Sequence, residues 1–513
     1  GTGRIAYYTY KRYIDEFDAI YDVFSRDAVL KGSFDRYAVT TAGKRGTAEV
    51  DREFLKEIEG WRDSLARNIA IRNPKLTVDE MNFAVQQTID RIIFLRICED
   101  RGIESYGGLQ ALLNGVNTYR RLFELFYQAD TKYNSGLFDF SSDKLTPDIK
   151  IDDDVIKGII DGLYYPKSPY EFSVLGADIL GNVYEQFLGK VIRLTAGHNA
   201  KVEEKPEVKK AGGVYYTPEY IVEYIVQNTV GKLIEGKTPK KAEELKILDP
   251  ACGSGSFLIG AYQHLLNYHL KWYIENSPEK YAKGKFPAVY RSGKGWRLTT
   301  QEKKRILLNN IFGVDIDRQA VEVTKLSLLL KVLEDENRET IGKNLLLFRE
   351  RVLPNLDNNI KCGNSLIGTD FYSNSLPLIG EDENLKKTNP FDWHDPEKGF
   401  GKIIPPPHSP LYKGGNKGGF DAVIGNPPWG ADFSEIELAY LRNKNSDIIV
   451  RMIDSFMYFV YQASQKLSDK SSFGMILPDV ILYQKDNYKL RDFLIKNFNL
   501  RNVINLGNDV FKN

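Results

Sequence analysis

Apolar residues in the first third of the 513-residue chain recur at the three- and four-residue spacing of helices. Residues 54–65 show this spacing, and residues 83–97 show it again. Thr77 and Glu80 stand three residues apart just before the second run, a pattern that predicts a capping box at the start of a helix. We therefore expect an all-helical domain over residues 1–165.

The second run carries charged as well as apolar residues. Charges three and four residues apart on one helix can pair with one another at its surface. We therefore interpret them as a solvated, ion-paired helix face, and the region as a packing or connector domain. Paired acids with a lysine on adjacent strands, the usual pattern of metal-dependent nucleases, are not found in this third of the sequence. The charged positions are Arg91, Arg96, Glu99, Asp100 and Arg101.

Later in the chain the pattern changes to short apolar runs, each followed by a loop and most by a helix. Residues 246–248, 311–314, 360–362 and 422–424 form such runs. Strands that alternate with helices build a parallel sheet covered by helices. The predicted fold class is therefore α/β, a doubly wound Rossmann-like sheet over residues 166–513 that follows the all-helical domain.

Two features of this second region complete the prediction. Residues 370–419 are rich in Pro, Gly and Lys and show no periodicity, which predicts a flexible insertion. Near the end of the chain, residues 473–477 and 503–506 read as two further strands, with a helix over 488–497 between them.

The loop at residues 249–257 contains the first candidate chemistry. Gly253 and Gly255 follow a strand and precede a helix, where glycine lets the backbone turn tightly and approach a ligand. Asp249 precedes them, and Asp315 ends the next strand, the position at which doubly wound folds bind ribose hydroxyls. The glycine pattern is too short for the dinucleotide fingerprint. We predict a nucleoside-bearing cofactor other than NAD.

A second candidate loop follows the apolar run at 422–424. It consists of Asn426, Pro427, Pro428 and Trp429, and because prolines cannot extend a central strand, it must turn at the strand's carboxyl end. An Asn amide can accept a hydrogen bond from an exocyclic amine, and a flat aromatic ring can stack on a base. The loop is therefore predicted to hold an aromatic ring that bears an amino group.

Length and composition exclude few classes of protein. A chain of this length is expected to form two or three domains, and no apolar run approaches the ~20 residues of a membrane span. Three scattered cysteines favour a reducing cytoplasm, and five histidines show no metal-ligand spacing. The net charge of +1 is not the bulk signature of a nucleic-acid binder. The chain begins with Gly1 rather than Met, which suggests a fragment.

Taken together, these motifs resemble those of the N6-adenine DNA methyltransferases that use S-adenosylmethionine. The resemblance rests on residues 249–257, on Gly-Val-Asp-Ile-Asp at 313–317 and on Asn-Pro-Pro-Trp at 426–429. Residues 213–218, Gly-Val-Tyr-Tyr-Thr-Pro, resemble the additional cofactor motif of that family, and their position before the glycine loop is the gamma-class order.

The helical region resembles a family as well. Residues 94–102 and 134–138 are similar to the connector domain of single-chain type IIG restriction–modification enzymes. The resemblance implies that double-stranded DNA is the partner, with no role for a membrane. It also implies a nuclease domain before residue 1 and a target-recognition domain after residue 513, both in the parent protein and in a prokaryotic cytoplasm.

The resemblance assigns roles at the cofactor site. Thr217 and the backbone around Gly253 would hold the methionine part, with Asp249 near its amino group. Asp315 would bind the ribose hydroxyls, and Ile316 would pack against the cofactor's adenine. The implied cofactor-binding set is Thr217, Asp249, Ala251, Gly253, Gly255, Asp315, Ile316 and Asn364.

The resemblance assigns three further positions, two of which differ from the residue that is usual in the family. Asn364 stands where much of the wider family has Asp to accept from the cofactor's adenine amine, and its side-chain oxygen can do the same. Trp429 replaces a more frequent Tyr or Phe, and the change preserves stacking on the flipped base. Phe511 falls where the family has a second aromatic residue that packs against that base.

The resemblance also implies a mechanism. The Asn426 side-chain oxygen and the Pro427 carbonyl would each accept one hydrogen of adenine N6, so that the nitrogen lone pair turns towards the sulfonium methyl. No cysteine nucleophile is needed. The implied catalytic set is Asn426, Pro427, Pro428 and Trp429.

Three alternatives remain open at this point. Asn-Pro-Pro-aromatic loops also serve the methylation of a protein glutamine amide, although such enzymes are small. The chain could instead be the modification subunit of a multi-subunit type I complex, which needs a specificity partner. The third alternative is a catalytically silent DNA-binding module.

Overall fold

The computed structural model of the chain describes its helical region and most of the later region. The described residues are 13–18, 21, 25, 47–133, 136–168, 170, 172–174, 181, 183–185, 189–195, 197–205, 217–293, 295–341, 352–375, 388–406, 418–451, 454–507 and 510.

Helices dominate the described residues before position 165, as the apolar spacing predicts. The predicted capping box is confirmed: the Thr77 hydroxyl accepts from the Glu80 backbone N–H, and the Glu80 carboxylate accepts from the Thr77 backbone N–H. The helices are α1 (Thr47–Arg72), α2 (Val78–Asp100), α3 (Thr118–Tyr133) and α4 (Asp153–Asp161).

Helix α2 is surrounded by protein, and the prediction of a solvated charged face on it is wrong. Arg91 is 1% exposed and Arg96 is 3% exposed. The Arg91 guanidinium donates to the Asp143 carboxylate, the Thr146 hydroxyl and the Leu137 carbonyl, each at 2.7 Å. The ion-paired part of the prediction holds for Arg96, which pairs with Glu99 and Asp100 on the same helix. The partners of Arg91 lie 46 to 55 residues away in sequence, so charge at helical spacing does not distinguish a surface pair from a buried one.

The later region contains a five-stranded sheet whose described strands all run parallel, so the predicted fold class is confirmed. The strands are β1 (Lys190–Leu194), β2 (Ala200–Glu204), β3 (Ile247–Asp249), β4 (Val289–Ser292), β5 (Gly295–Leu298), β6 (Ile311–Asp315), β7 (Ile360–Cys362), β8 (Phe420–Gly425) and β9 (Leu467–Met475). The strand order in the sheet is β7-β6-β3-β8-β9. The strands β1–β2 and β4–β5 form two separate antiparallel hairpins, of which β1–β2 packs on α1 and α2.

Helices connect these strands and continue the numbering of the helical region. The first two are α5 (Glu219–Val226) and α6 (Lys232–Ile234), which are joined by a π-helical turn (Gln227–Gly231). The remaining helices are α7 (Pro239–Ala242), α8 (Ser256–Glu275), α9 (Pro278–Tyr281), α10 (Thr300–Asn310), α11 (Arg318–Val332), α12 (Asp370–Ser375), α13 (Glu435–Lys444), α14 (Ser455–Ser464), α15 (Val480–Tyr483) and α16 (Tyr488–Asn497).

Successive strand residues point to opposite faces of the sheet and into different cores. On β3, Ile247 joins the large core formed with the helical region and α8, whereas Leu248 joins a smaller aromatic core. Phe391, Trp393 and Phe400 supply much of that second core and are at most 7% exposed.

The second core includes part of the segment 370–419, which was predicted to be a flexible insertion. Its middle part, residues 388–406, has no regular helix but packs its aromatic side chains on the sheet. Large irregular segments can be buried in this way without any hydrophobic period, which is why the sequence pattern did not predict it. Residues 376–387 and 407–417 lie outside the described residues.

The predicted strands at the end of the chain differ from the structure. The strand expected at 473–477 is the carboxyl end of the longer β9, and residues 503–506 form no strand. Val503 is 64% exposed and Ile504 is 51% exposed, so the apolar run has no sheet neighbour within the described part of the chain. A search of the described residues for a helix long and apolar enough to span a membrane finds none.

Candidate functional site

Four neighbouring strands end at one edge of the sheet and bring the predicted polar residues together. Asp249 ends β3 and Asp315 ends β6. Asn364 follows β7 by two residues, and Asn426 directly follows β8. Because the strands are parallel and adjacent, their carboxyl ends share this edge, where ligands bind in open α/β sheets.

The glycine loop between β3 and α8 is tied to the next strand. The Gly253 backbone N–H donates to the Asp315 carboxylate at 2.9 Å, and the Gly253 carbonyl accepts from the Thr324 hydroxyl at 2.8 Å. Gly253 and Gly255 have φ values of +53° and +90°, which favour glycine. A Cβ on Gly255 would lie 2.9 Å from Thr324 Cγ2, so space as well as conformation requires glycine there.

Three carboxyl groups surround the glycine loop, and burial raises the pKa of each. The pKa of Asp249 is raised to about 8, that of Glu185 to about 7 and that of Asp315 to about 6. Nearby carboxylates add to the shift: Asp315 and Glu185 raise the pKa of Asp249, and Asp315 raises that of Glu185. This end of the sheet therefore favours a cationic ligand.

Glu185 is a site residue that the sequence analysis missed. Its carboxylate accepts a hydrogen bond from the Ser254 hydroxyl of the glycine loop at 2.7 Å. It stands in a helical stretch of which residues 181 and 183–185 are described. An acid on such a helix normally faces solvent, so the sequence gave no reason to single it out.

Asn364 and Ile316 occupy the other side of the expected cofactor site. The Asn364 side-chain oxygen accepts from the Leu366 backbone N–H at 3.0 Å, so one of its two lone pairs stabilises the local turn. Ile316 is 50% exposed, as a residue that packs against a ligand would be. The Ser365 hydroxyl donates to the Pro250 carbonyl at 2.5 Å and joins this turn to the loop after β3.

Only the nitrogen end of the Asn426 amide has a hydrogen-bond partner among the described residues. Its Nδ2 donates to the Thr217 hydroxyl at 3.2 Å, and Thr217 is 4% exposed. Its Oδ1 is buried and has no hydrogen-bond partner among the described residues. A Cβ on Gly425 would lie 2.6 Å from Asp249 Oδ1, so this loop begins in direct contact with the Asp249 carboxyl group.

The rest of the Asn-Pro-Pro-Trp loop is anchored by the start of α14. The Ser455 hydroxyl donates to the Pro428 carbonyl at 2.6 Å. The Asp454 carboxylate accepts from the Gly430 backbone N–H at 2.8 Å. Pro427 is buried, whereas Trp429 is 37% exposed at the rim. Asp454 and Ser455 were not singled out, although an Asp-Ser pair before an apolar run is a typical helix start.

Some of the predicted site residues cannot be placed. Phe511 lies outside the described residues, and so do residues 213–216 of the upstream motif. The structure brings the other candidates (Thr217, Asp249, Ala251, Gly253, Gly255, Asp315, Ile316, Asn364 and Asn426–Trp429) to the same edge of the sheet. A search for clusters of His, Cys, Asp and Glu that suit a metal ion finds none in the described part of the chain.

Two protein families match overlapping parts of the chain. Residues 175–352 match the family described as N-6 DNA Methylase. Residues 309–511 match the family described as Eco57I restriction-modification methylase. The two matches together cover residues 175–511.

Named relatives and solved structures add to these matches. The adenine-specific methyltransferase BrxX of Escherichia coli O9:H4 (strain HS) is 27% identical over 41% of this chain and 17% of its own length. The structure of the type IIL restriction–modification enzyme MmeI in complex with DNA superimposes with a TM-score of 0.43. That alignment has 15% identity and covers 80% of this chain and 48% of the MmeI chain.

One relative aligns with almost the whole sequence. The type II restriction enzyme and methyltransferase RM.Eco57I of Escherichia coli is 33% identical over 99% of this chain. The chain spans 47% of that protein's length. The two family matches and the alignment with RM.Eco57I show that the chain belongs to the N-6 DNA methylase family.

Proposed function

We propose that this region transfers a methyl group from S-adenosylmethionine to the N6 atom of an adenine in double-stranded DNA. The observation that carries the proposal is the Asn426 side-chain oxygen, a buried acceptor to which no described residue donates. It lies at the carboxyl end of β8, next to the carboxyl group of Asp249. A buried acceptor in this state is costly unless a ligand donates to it.

The Asn-Pro-Pro-Trp loop would act by changing the bonding geometry of the attacking N6 nitrogen. The N6 lone pair is delocalised into the adenine ring, which makes it a poor nucleophile. If Asn426 Oδ1 and the Pro427 carbonyl each accept one N6 hydrogen, the nitrogen becomes more tetrahedral and its lone pair is freed. The prolines and the hydrogen bond from Ser455 to Pro428 hold the two acceptors in place before the base arrives.

The residues around the glycine loop fit S-adenosylmethionine, which supplies an electrophilic methyl group on a positively charged sulfur. The raised pKa values of Asp249, Glu185 and Asp315 reflect three acids whose charges are poorly compensated. A ligand that carries an ammonium and a sulfonium would offset them. Asp249 and Asp315 would therefore bind the cofactor, and Gly253 and Gly255 let the backbone come close.

The substrate base would have to leave the duplex to reach Asn426. Trp429, at the rim of the site, would stack on the extruded adenine and offset part of the stacking that is lost. The long helical region and the restriction–modification relatives favour DNA over a protein glutamine. Because RM.Eco57I is about twice as long as this chain, we place a nuclease and a target-recognition domain in the same parent protein.

The test uses the intact protein that carries this sequence, tritiated S-adenosylmethionine and duplex DNA. Asn426→Ala should lower methyl transfer at least about 100-fold, because it removes a preorganised acceptor at the reacting atom. Asn497→Ala, at an exposed position of α16, is the matched control and should retain activity. Full transfer by Asn426→Ala would rule out the mechanism.

The alternatives give different results in the same assay. Label on a release factor rather than on DNA would identify a protein-glutamine methyltransferase. Transfer to DNA only after a specificity subunit is added would identify the modification subunit of a type I complex. DNA binding without any transfer would leave a silent binding module.

A further inference from the structure

The Thr217 hydroxyl contacts the Asn426 amide directly. Its hydroxyl oxygen accepts from Asn426 Nδ2 at 3.2 Å across 209 residues of sequence. An Asn amide can present either its oxygen or its nitrogen to a ligand, since the two ends have nearly the same shape. In the observed contact the nitrogen faces Thr217, which leaves the oxygen for the substrate.

Both partners have little backbone freedom. Thr217 precedes Pro218, and Asn426 precedes Pro427. A residue before proline is restricted to extended backbone conformations, because in a helical conformation its backbone would clash with the proline ring. Thr217 is also buried, two residues before α5, and Asn426 follows a strand that pairs with neighbours on both sides. The hydrogen bond therefore joins two positions that the chain fixes independently.

We propose that Thr217 is a positioning residue, whose hydroxyl sets the orientation of the Asn426 amide so that Oδ1 faces the amine that is methylated. This inference rests on the proposed function, and it revises the expected role of Thr217 as a contact for the methionine part of the cofactor. The role differs from cofactor binding in one measurable respect: it acts on the rate of the chemical step.

The experiment compares Thr217→Val, which keeps the shape and loses the hydroxyl, with Thr217→Ser, which keeps the hydroxyl. Single-turnover methyl transfer is measured in the intact protein with saturating S-adenosylmethionine and DNA. Thr217→Val should lower this rate about 10- to 100-fold, because a misplaced acceptor weakens the reaction geometry. Thr217→Ser should recover most of the rate. Thr131→Val, at an exposed position of α3, is the matched control.

Three further readouts separate positioning from structure. The Kd of S-adenosylmethionine should change less than about threefold in Thr217→Val, if only orientation is lost. The fluorescence of 2-aminopurine at the target position should still report base extrusion. The double variant Thr217→Val/Asn426→Ala should be no slower than Asn426→Ala, because both changes remove the same interaction.

Several results would overturn the inference. One is a wild-type single-turnover rate in Thr217→Val, and another is an equal defect in Thr217→Ser. A defect that appears only as weaker cofactor binding would return Thr217 to the cofactor site. Methyl transfer by the wild-type protein together with any of these results would leave the proposed function intact, whereas no transfer by the wild type would contradict the proposed function itself.

Discussion

At the scale of single residues, the site is characterised by three neighbouring acids, of which Asp249 is buried and Asp315 and Glu185 are half-buried. Burial is the largest cause of the raised pKa values of Asp249, Glu185 and Asp315. Their positions follow from the parallel strands and the glycine loop, which crowd three carboxyl groups into one end of the sheet. The arrangement has a direct consequence for the pH dependence of ligand binding.

Cofactor affinity should rise with pH between about 6 and 8. The Asp249 pKa of about 8 means that this carboxyl group is largely protonated at pH 6 in the free protein. A cationic ligand favours the charged form, so its binding expels the proton, and the cost of doing so falls as pH rises. Calorimetric titration with S-adenosylmethionine in buffers of different ionisation enthalpy measures the released proton.

Asp249→Asn provides the control for this prediction. The amide cannot ionise, so the variant should bind the cofactor more weakly at pH 8 and should lose the part of the pH dependence between about pH 7 and 8, whereas Glu185 and Asp315 still titrate at lower pH. An affinity that is flat between pH 6 and 8 in the unaltered protein would contradict the prediction.

The two glycines of the cofactor loop should differ in their tolerance of alanine. Gly253→Ala meets no atom within 4 Å and is strained only by its positive φ, which costs about 1–2 kcal/mol. Gly255→Ala adds a contact of 2.9 Å with Thr324 and should cost more. Urea unfolding of both variants, together with the Kd of S-adenosylmethionine, measures the difference. Equal losses would show that space at Gly255 is unimportant.

Sequence reasoning was most successful where residue type and position coincide. A glycine directly after a strand and an Asn-Pro-Pro sequence each indicate a turn from local sequence alone. Gly253, Gly255 and Asn426 could therefore be predicted as site residues. Glu185, Asp454 and Ser455 were not, because their importance comes from partners distant in sequence. The hydrogen bond between Ser254 and Glu185 spans 69 residues, and no local pattern encodes it.

At the scale of elements, the irregular segment 388–406 behaves as part of the sheet's core. The Phe400 ring lies with its centroid 5.7 Å from that of Phe312 and 5.6 Å from that of Phe420, both on strands. Helices and strands of the sheet were predictable from their periods. This segment was not, because it packs through individual aromatic residues in a Pro- and Gly-rich stretch.

Truncation of Phe400 should therefore destabilise the protein. Phe400→Ala removes a ring that is 3% exposed and is expected to lower the free energy of unfolding by about 3–5 kcal/mol. Phe286→Ala, at a position that is 55% exposed, is the matched control and should change it by about 0.5 kcal/mol or less. Urea unfolding followed by circular dichroism provides the measurement. Similar losses in the two variants would mean that the segment does not contribute to the core.

At the scale of the whole molecule, the helical region and the sheet share one core. The largest hydrophobic cluster contains Phe94 of α2 as well as Ile247 of β3. Gln87 of α2 donates to Glu322 of α11 at 3.3 Å, and Lys205 pairs with Asp317, directly before that helix. The predicted boundary near residue 165 stays a prediction, and the packing across it is continuous.

Because the core is continuous, the region described here should unfold as one cooperative unit. Scanning calorimetry of this chain should give a single transition, with a calorimetric enthalpy close to the van't Hoff enthalpy. Asp317→Ala should shift that transition without splitting it. Two separate transitions would show that the helical region and the sheet are independent domains.

The Asn426 side-chain oxygen, which accepts from no described residue, has an evolutionary consequence. A buried acceptor to which no protein group donates costs about 1–3 kcal/mol of stability. Variants selected for heat resistance alone are therefore expected to replace Asn426 and Thr217 together by apolar residues. A lineage that retains both Asn426 and Thr217 would then be one in which selection for catalysis outweighs selection for greater stability.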